Sequence, residues 1–222
     1  LLDRRVRLSV AAADGYFQPK AVAFAVAALT LSGPVDAEPT LRLALRAHER
    51  CTPGLDAEAR GYAAVRDLGW ALAAAVIHTD RRYDALLGLT AHAEPTVRRI
   101  GTGGLANVAE EYAPIRGRPP DETPRLAAAA ADRLTADRDR RVRYHAAFAL
   151  HEFALDDPGP VRGHAAALRD ALDDEDDEVR REAVGALGTL GVDEARDEIS
   201  ALRDDSEERV RDAAAAALDD LE

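Results

Sequence analysis

The stretch Asp173–Gly191 reads "DDEDDEVRREAVGALGTLG": six consecutive acids, a valine, two arginines, and then small and aliphatic residues. Counted from Val179, an acid lies three residues before (Asp176) and an arginine directly after (Arg180). A small residue follows at plus four (Ala183), a leucine at plus eight (Leu187) and another at plus eleven (Leu190). Offsets of four, eight and eleven share one face of an α-helix. The stretch therefore predicts an acidic turn that opens a helix buried along one side.

The pattern recurs. Val210 has Glu207, Arg211, Ala214, Leu218 and Leu221 at the same offsets. Val142 has Asp139, Arg143, Ala146, Leu150 and Phe153, and Val97 has Glu94, Arg98, Gly101, Leu105 and Val108. Val6 gives a partial match with Asp3, Arg7, Val10 and Phe17, interrupted at Asp14. Such self-similarity marks a repeat protein. Helices of a second kind lie between the marked ones: "VDEARDEISALRD", "PGPVRGHAAALRDAL", "DETPRLAAAAADRL", "RRYDALLGLTAH" and "EPTLRLALRAHERC". Val161–Arg162 falls in this second kind, because Arg169 stands where leucine is needed. "LDAEARGYAAVRDLGWALAAAVIH" and "PKAVAFAVAALTL" read as degenerate helices of the first kind.

The acid–x–x–Val–Arg start followed by an Ala/Leu-patterned helix resembles the HEAT repeat, in the short HEAT-like form of the phycobilisome-lyase family. The resemblance is strong over 94–112 and 137–222 and weak before residue 92. It implies an all-α fold, an α-α superhelix of about 12 antiparallel helices in five to six pairs. It further implies a right-handed solenoid, with first helices on the convex side and second helices on the concave side. The expected organisation is a single domain over 1–222: degenerate repeats over 1–92, a repeat with a long loop at 113–124 over 93–136, and regular repeats with a C-terminal cap over 137–222.

In this setting the six acids are a turn and a cap. Carboxylates accept hydrogen bonds from the free N–H groups at a helix start and oppose the positive end of its dipole. The arginine after each valine can reach acids of a neighbouring repeat. A calcium loop needs a glycine and spaced ligands that this run lacks.

Of the 29 basic residues only Lys20 is lysine, against 41 acids, and the net charge is −12. An acidic, nearly lysine-free surface resembles proteins of salt-loving microbes, whose charge serves solubility. Cys51 is the single cysteine, so no disulfide can form within the chain and a reducing compartment is expected. No apolar run reaches the ~18–20 residues needed to cross a bilayer. Cytoplasmic residence without membrane contact is the expectation. The sequence does not begin with methionine and "LLDRRVRL" opens without a polar cap, so further chain or another subunit is expected at that end.

Catalytic patterns do not complete. "RIGTGGLAN" (99–107) holds glycines but sits inside a marked helix, where Gly101 fits close helix contact better than a phosphate loop. His48–Glu49 and His151–Glu152 resemble the His–Glu pairs of deoxyhypusine hydroxylase, a HEAT-like iron enzyme, but that family needs four pairs just after the repeat marker. Neither pair extends to His–Glu–x–x–His. His48 and Cys51 are three apart, a spacing a core cysteine also has. No residue is assignable to bilin lyase chemistry, and DNA glycosylases of this repeat type use more aromatics and a basic groove. No catalytic residue, metal ligand or cofactor is therefore assigned.

Charge is uneven: residues 1–150 carry 21 bases and 18 acids, residues 151–222 carry 8 bases and 23 acids. All ten aromatics lie between Tyr16 and Phe153. Arg42, Arg46 and Arg50 form one stripe on a second-kind helix; Arg81, Arg82 and Tyr83 open the next, and Arg125 the one after. Arg116 and Arg118 lie in the proline-rich loop. These nine residues are the expected partner-binding set, suited to an acidic protein segment. The same arginines could hold a nucleic-acid backbone, which high salt disfavours. Local ion pairs, such as Arg42 with Glu38 or Arg46 with Glu49, are the alternative use of the stripe.

Overall fold

The computed structural model describes residues 42, 44–46, 48–50, 54, 56–79 and 83–221. Every regular element among them is helical, and the described residues contain no strand. Val6 and the apolar segment 19–31 lie outside the described residues. The chain divides into two compact units, Leu1–Val108 and Ala109–Glu222.

In the first unit the described residues between 42 and 50 are helical. They are followed by α1 (Ala57–Thr79), α2 (Tyr83–Thr90) and the part of α3 (Pro95–Arg116) up to Val108. Asp56 opens α1, its Oδ1 accepting from the Ala59 N–H at 2.8 Å. Leu68, Ala71, Ala73, Val76 and Ile77 of α1 are buried, as are Leu86 and Leu89 of α2 and Val97, Ile100 and Leu105 of α3. The glycines of "RIGTGGLAN" make close helix contact. A Cβ on Gly101 would lie 2.6 Å from the backbone of Leu89 and Thr90 in α2, and one on Gly69 of α1 would lie 3.0 Å from the Gly104 nitrogen.

The second unit holds the end of α3 and three helix pairs. α4 (Thr123–Ala136) pairs with α5 (Arg140–Asp156). α6 (Pro158–Arg162), α7 (Ala165–Asp170) and a 3-10 turn at Ala171–Asp173 precede α8 (Asp177–Leu190). A 3-10 turn at Asp193–Ala195, α9 (Arg196–Ala201) and another turn at Leu202–Asp204 precede α10 (Glu208–Asp220). α5 packs on α8 and α8 on α10, so the first helices form one layer. Val142, Val179 and Val210 are completely buried there, as Val97 is in the first unit. Burying one such side chain contributes about 1.5–3 kcal/mol. The positions at plus four are buried too, and of the leucines at plus eight only Leu218 is half-buried.

The acid run behaves as a turn and cap. Asp176 is the N-cap of α8, its Oδ1 accepting from Glu178 N–H at 3.2 Å, and Asp139 caps α5 in the same way. The carboxylate five residues before each valine of the second unit is a further fixture of the turn. The side chains of Asp137, Asp174 and Asp205 accept from the backbone N–H two residues on, at 3.0, 2.9 and 2.8 Å. His92 Nδ1 accepts from Glu94 N–H in the corresponding place of the first unit. The arginine after each valine closes the same turn: Arg98, Arg143, Arg180 and Arg211 donate to the carbonyls of His92, Asp137, Asp174 and Asp205.

Two of these arginines also tie repeats together. Arg143 grips Asp174 with two hydrogen bonds of 2.6 and 2.9 Å, and Arg180 grips Asp205 with two of 2.9 Å. The bonds to Asp174 hold the Arg143 guanidinium more firmly protonated than usual, against the opposing effect of burial. Likewise Arg180 holds the Asp205 carboxyl below the usual carboxylate range.

Two expectations need correction. The loop assigned to 113–124 is confined to 117–122, because α3 continues through Pro114 to Arg116. A proline near the last turn removes one N–H without barring that turn, and Gly117, at φ +71°, supplies the stop. The segment "PGPVRGHAAALRDAL" is not one helix but α6, a turn at Gly163–His164, α7 and a 3-10 turn. Pro158 and Pro160 are tolerated in the first turn of α6, where N–H groups are free in any case, and Gly163, a poor helix former, lies where that helix stops before α7 begins.

Gly101→Ala should lower unfolding free energy by about 1–3 kcal/mol through overpacking, which outweighs the ~0.5–1 kcal/mol that alanine gains in a helix. Gly88→Ala in α2, where a Cβ meets nothing within 4 Å, should instead raise it by about 0.5–1 kcal/mol. Urea titrations of the two variants read the opposite signs. Arg143→Ala leaves the nearly buried Asp174 without its bidentate partner and should cost about 3 kcal/mol by the same measurement.

Candidate functional site

Arg42, Arg46 and Arg50 are all exposed, while Ala44 and His48 of the same helical stretch are buried. The stripe exists as a surface. Arg42 lies 3.3 Å from Glu94, both half-exposed. His48 turns inward, its Nε2 3.4 Å from Asp67 Oδ2. Burial raises the Asp67 pKa, but hydrogen bonds from His48 and Arg66 outweigh it and hold the carboxyl below its ordinary value. Tyr83 is only 7% exposed, so its ring is part of the first unit's core and not of a binding surface. An apolar face that α2 must bury claimed the aromatic. Arg81, Arg82 and Cys51 lie outside the described residues.

In the second unit Arg116, Arg118 and Arg125 are exposed. Arg118 donates to Asp121 at 2.9 Å and lies over the buried Tyr112 ring, 5.9 Å from its centroid. Arg125 donates to Glu122 at 2.6 Å. The short loop is thus braced by its own ion pairs.

A different surface stands out in the second unit, on the first-helix layer. A trough of about 540 Å³ is lined only by α5, α8 and α10. Aligning the three helices on their valines explains the hollow. At plus three and plus six α5 carries His145 and Phe148, α8 carries Glu182 and Gly185, and α10 carries Ala213 and Ala216. Side-chain volume falls along the layer and leaves a depression. His151 partly fills it, its ring packed so closely on Gly185 that a Cβ there would lie 2.5 Å from Cε1. His151 Nδ1 meets Glu182 Oε2 at 2.9 Å. Arg181 reaches the other oxygen of Glu182 at 2.5 Å and Glu178 at 2.6 Å. Burial lowers the Arg181 pKa, but Glu182 and Glu178 outweigh it and the net effect is a rise. Leu155, 58% exposed, edges the trough, and Arg209, Asp212 and Asp220 complete its rim.

His151 therefore pairs with a carboxylate of the next repeat and not with the adjacent Glu152. The described residues hold no group of three or more His, Cys, Asp or Glu side chains able to hold a metal ion. No described helix is long and apolar enough to cross a membrane.

Repeat geometry of this kind has a counterpart among known families. Residues 127–219 match the family model of HEAT repeats. No curated protein matches the chain. Among solved structures, an engineered protein from the Northeast Structural Genomics Consortium is similar at TM-score 0.60 and 20% identity, covering 99% of this chain and 96% of that one. A second engineered protein from the same consortium is similar at TM-score 0.57 and 21% identity, covering 99% of this chain and 57% of its own. At these identities the likeness concerns the fold alone. The HEAT-repeat match covers all three helix pairs of the second unit except the first residues of α4 and the end of α10.

Beside the trough, Tyr144, His145 and Phe148 form a ledge on α5, the Tyr144 ring 5.1 Å from His145 and 6.2 Å from Phe148. Burial, reinforced by Arg141 and opposed by Asp139, pushes the His145 pKa down to about 4. The folded chain then resists the proton that the unfolded chain accepts, so His145 contributes stability at neutral pH that is lost as pH falls from about 6.5 towards 4. Glu110, Glu152 and Asp156 are shifted up, chiefly by burial, and act in the opposite sense. The expected result is that His145→Gln removes the acid-side loss specific to this group. The urea midpoint of wild type should fall relative to that of the variant as pH drops through that window.

Proposed function

We propose that the chain is a non-catalytic repeat scaffold that binds another protein. The observation that carries this reading is the stripe of Arg42, Arg46 and Arg50, exposed over inward-facing Ala44 and His48. Arginines one turn apart on a fixed helix offer planar, bidentate donors to successive carboxylates of an acidic segment. The pair between Arg42 and Glu94 is an exposed one, worth at most about 1 kcal/mol, and exchanges readily for a partner's carboxylate. Arg116, Arg118 and Arg125 extend the proposed set, each exposed, with the last two held by local acids. Arg81 and Arg82 remain in the set by sequence position alone.

The finer placement follows the same reading. The repeats are of the short form found in the phycobilisome-lyase family, without a lyase's chemistry, and the second-helix layer is the concave one. An acidic surface with one lysine suits a high-salt cytoplasm, where screening leaves only close contacts effective. Such screening favours a protein partner over a nucleic acid.

Replacing Arg42, Arg46 and Arg50 together by alanine should lower affinity for the partner recovered by native purification at least ~tenfold, about 1.4 kcal/mol. Helicity by circular dichroism should not change, since all three side chains are exposed. Unaltered affinity would remove the stripe from the function, and binding of labelled DNA or RNA by wild type that persists from moderate to molar salt would replace the protein reading.

A further inference from the structure

The trough on the first-helix layer is a second surface, distinct in sequence from the arginine stripe. Its cations are already engaged: Arg181 by Glu178 and Glu182, Arg209 by Glu178 at 3.3 Å, and His151 by Glu182. Its remaining acids are not. Asp212 and Asp220 line the trough from α10 and hold no ion pair among the described residues. They stand eight residues apart on one helix, which at 1.5 Å per residue separates them by about 12 Å. Between and opposite them the wall is apolar, made by Ala213, Ala216 and the exposed Leu155. The surface thus offers two uncompensated negative charges with a shallow apolar seat between them.

We infer that this trough receives a helical segment of a partner protein carrying an apolar residue between two basic residues about two turns apart. The spacing of the acids matches that of side chains two turns apart on a bound helix, and the helix-in-groove mode uses such periodic anchors. Small residues at Gly185, Ala213 and Ala216 provide the depth, and a leucine-sized side chain would cover Leu155. Basic side chains bring their own apolar stems across the alanines before their charges meet Asp212 and Asp220. A phosphate backbone would meet these acids as like charge. A two-fold pairing of copies through this patch would bring two like surfaces together, each lined by three acids (Glu182, Asp212 and Asp220) against two arginines (Arg181 and Arg209).

The test uses the whole chain and a labelled, end-blocked, alanine-based peptide with two arginines two turns apart and leucines between them, against the same peptide with glutamates for arginines. At low ionic strength, fluorescence anisotropy should show binding of the arginine peptide and none of the glutamate peptide. Asp212→Asn with Asp220→Asn should weaken it about tenfold, two exposed pairs of up to ~1 kcal/mol each being involved. Ala216→Leu should abolish binding by filling the seat; Ala216 is exposed, and unchanged circular dichroism verifies the fold. Equal binding of both peptides, or binding of neither, overturns the inference. So does concentration-dependent self-association of wild type that Ala216→Leu abolishes, because a second copy would then be the occupant. The arginine-stripe variant should bind the peptide normally, which separates failure here from failure there.

Discussion

The two-pronged grip of an arginine on the aspartate of the next repeat is the contact on which the second unit depends. Asp174 and Asp205 each hold the backbone two residues on, the arginine of the preceding repeat, and, through the carbonyl, the arginine of their own repeat. One residue thus fixes the turn, the helix start and the register between neighbouring pairs. Apolar packing is non-directional and would tolerate a slip of alanines past alanines. A bidentate guanidinium–carboxylate pair, little exposed to water, does not. The valines supply the driving force and the Arg–Asp pairs fix the geometry.

That division of labour frees one layer. The first helices of the second unit, held at both turn and core, run 17, 14 and 13 residues without a break. The second helices of the last two pairs are interrupted by turns and 3-10 segments, and still bury Val161, Leu168 and Ile199. A continuous, rigid layer is the better place for a surface whose shape must be kept. The trough arises there because outward positions changed from aromatic to glycine to alanine along the stack while the inward ones were conserved in type. In a repeat protein such outward drift costs little stability, and it is how one repeat template acquires a unique surface.

Much of this was legible in the residues. The offsets from Val97, Val142, Val179 and Val210 specify which side chains are buried, and Gly101 at a small position specifies a close helix crossing. The aspartate five residues before the valine was equally available, present at Asp137, Asp174 and Asp205, but its role needs the turn's conformation. An offset pattern based on helix periodicity does not extend into a turn. Tyr83 was misassigned because an aromatic beside arginines suits an interface and a core alike, and burial separates the two. The trough was out of reach of periodicity for another reason. It depends on what three separate helices lack at equivalent positions, and missing volume becomes visible only when the helices are set side by side.

The acid excess of residues 151–222 takes on a different meaning at this level. By composition the region is a uniformly negative surface, 23 acids against 8 bases. In the structure many of those acids have assigned tasks. Asp174, Asp176, Glu178, Glu182, Glu198 and Asp205 cap helices or hold Arg140, Arg143, Arg169, Arg180, Arg181, Arg209 or His151. Their charge is spent within the fold and offers little to a partner, because an engaged carboxylate must break one contact to make another. The inferred recognition therefore draws on acids outside this network that also border an apolar surface. Asp212 and Asp220 meet both conditions, and the inferred docking rests on these two positions and not on the net charge of the region.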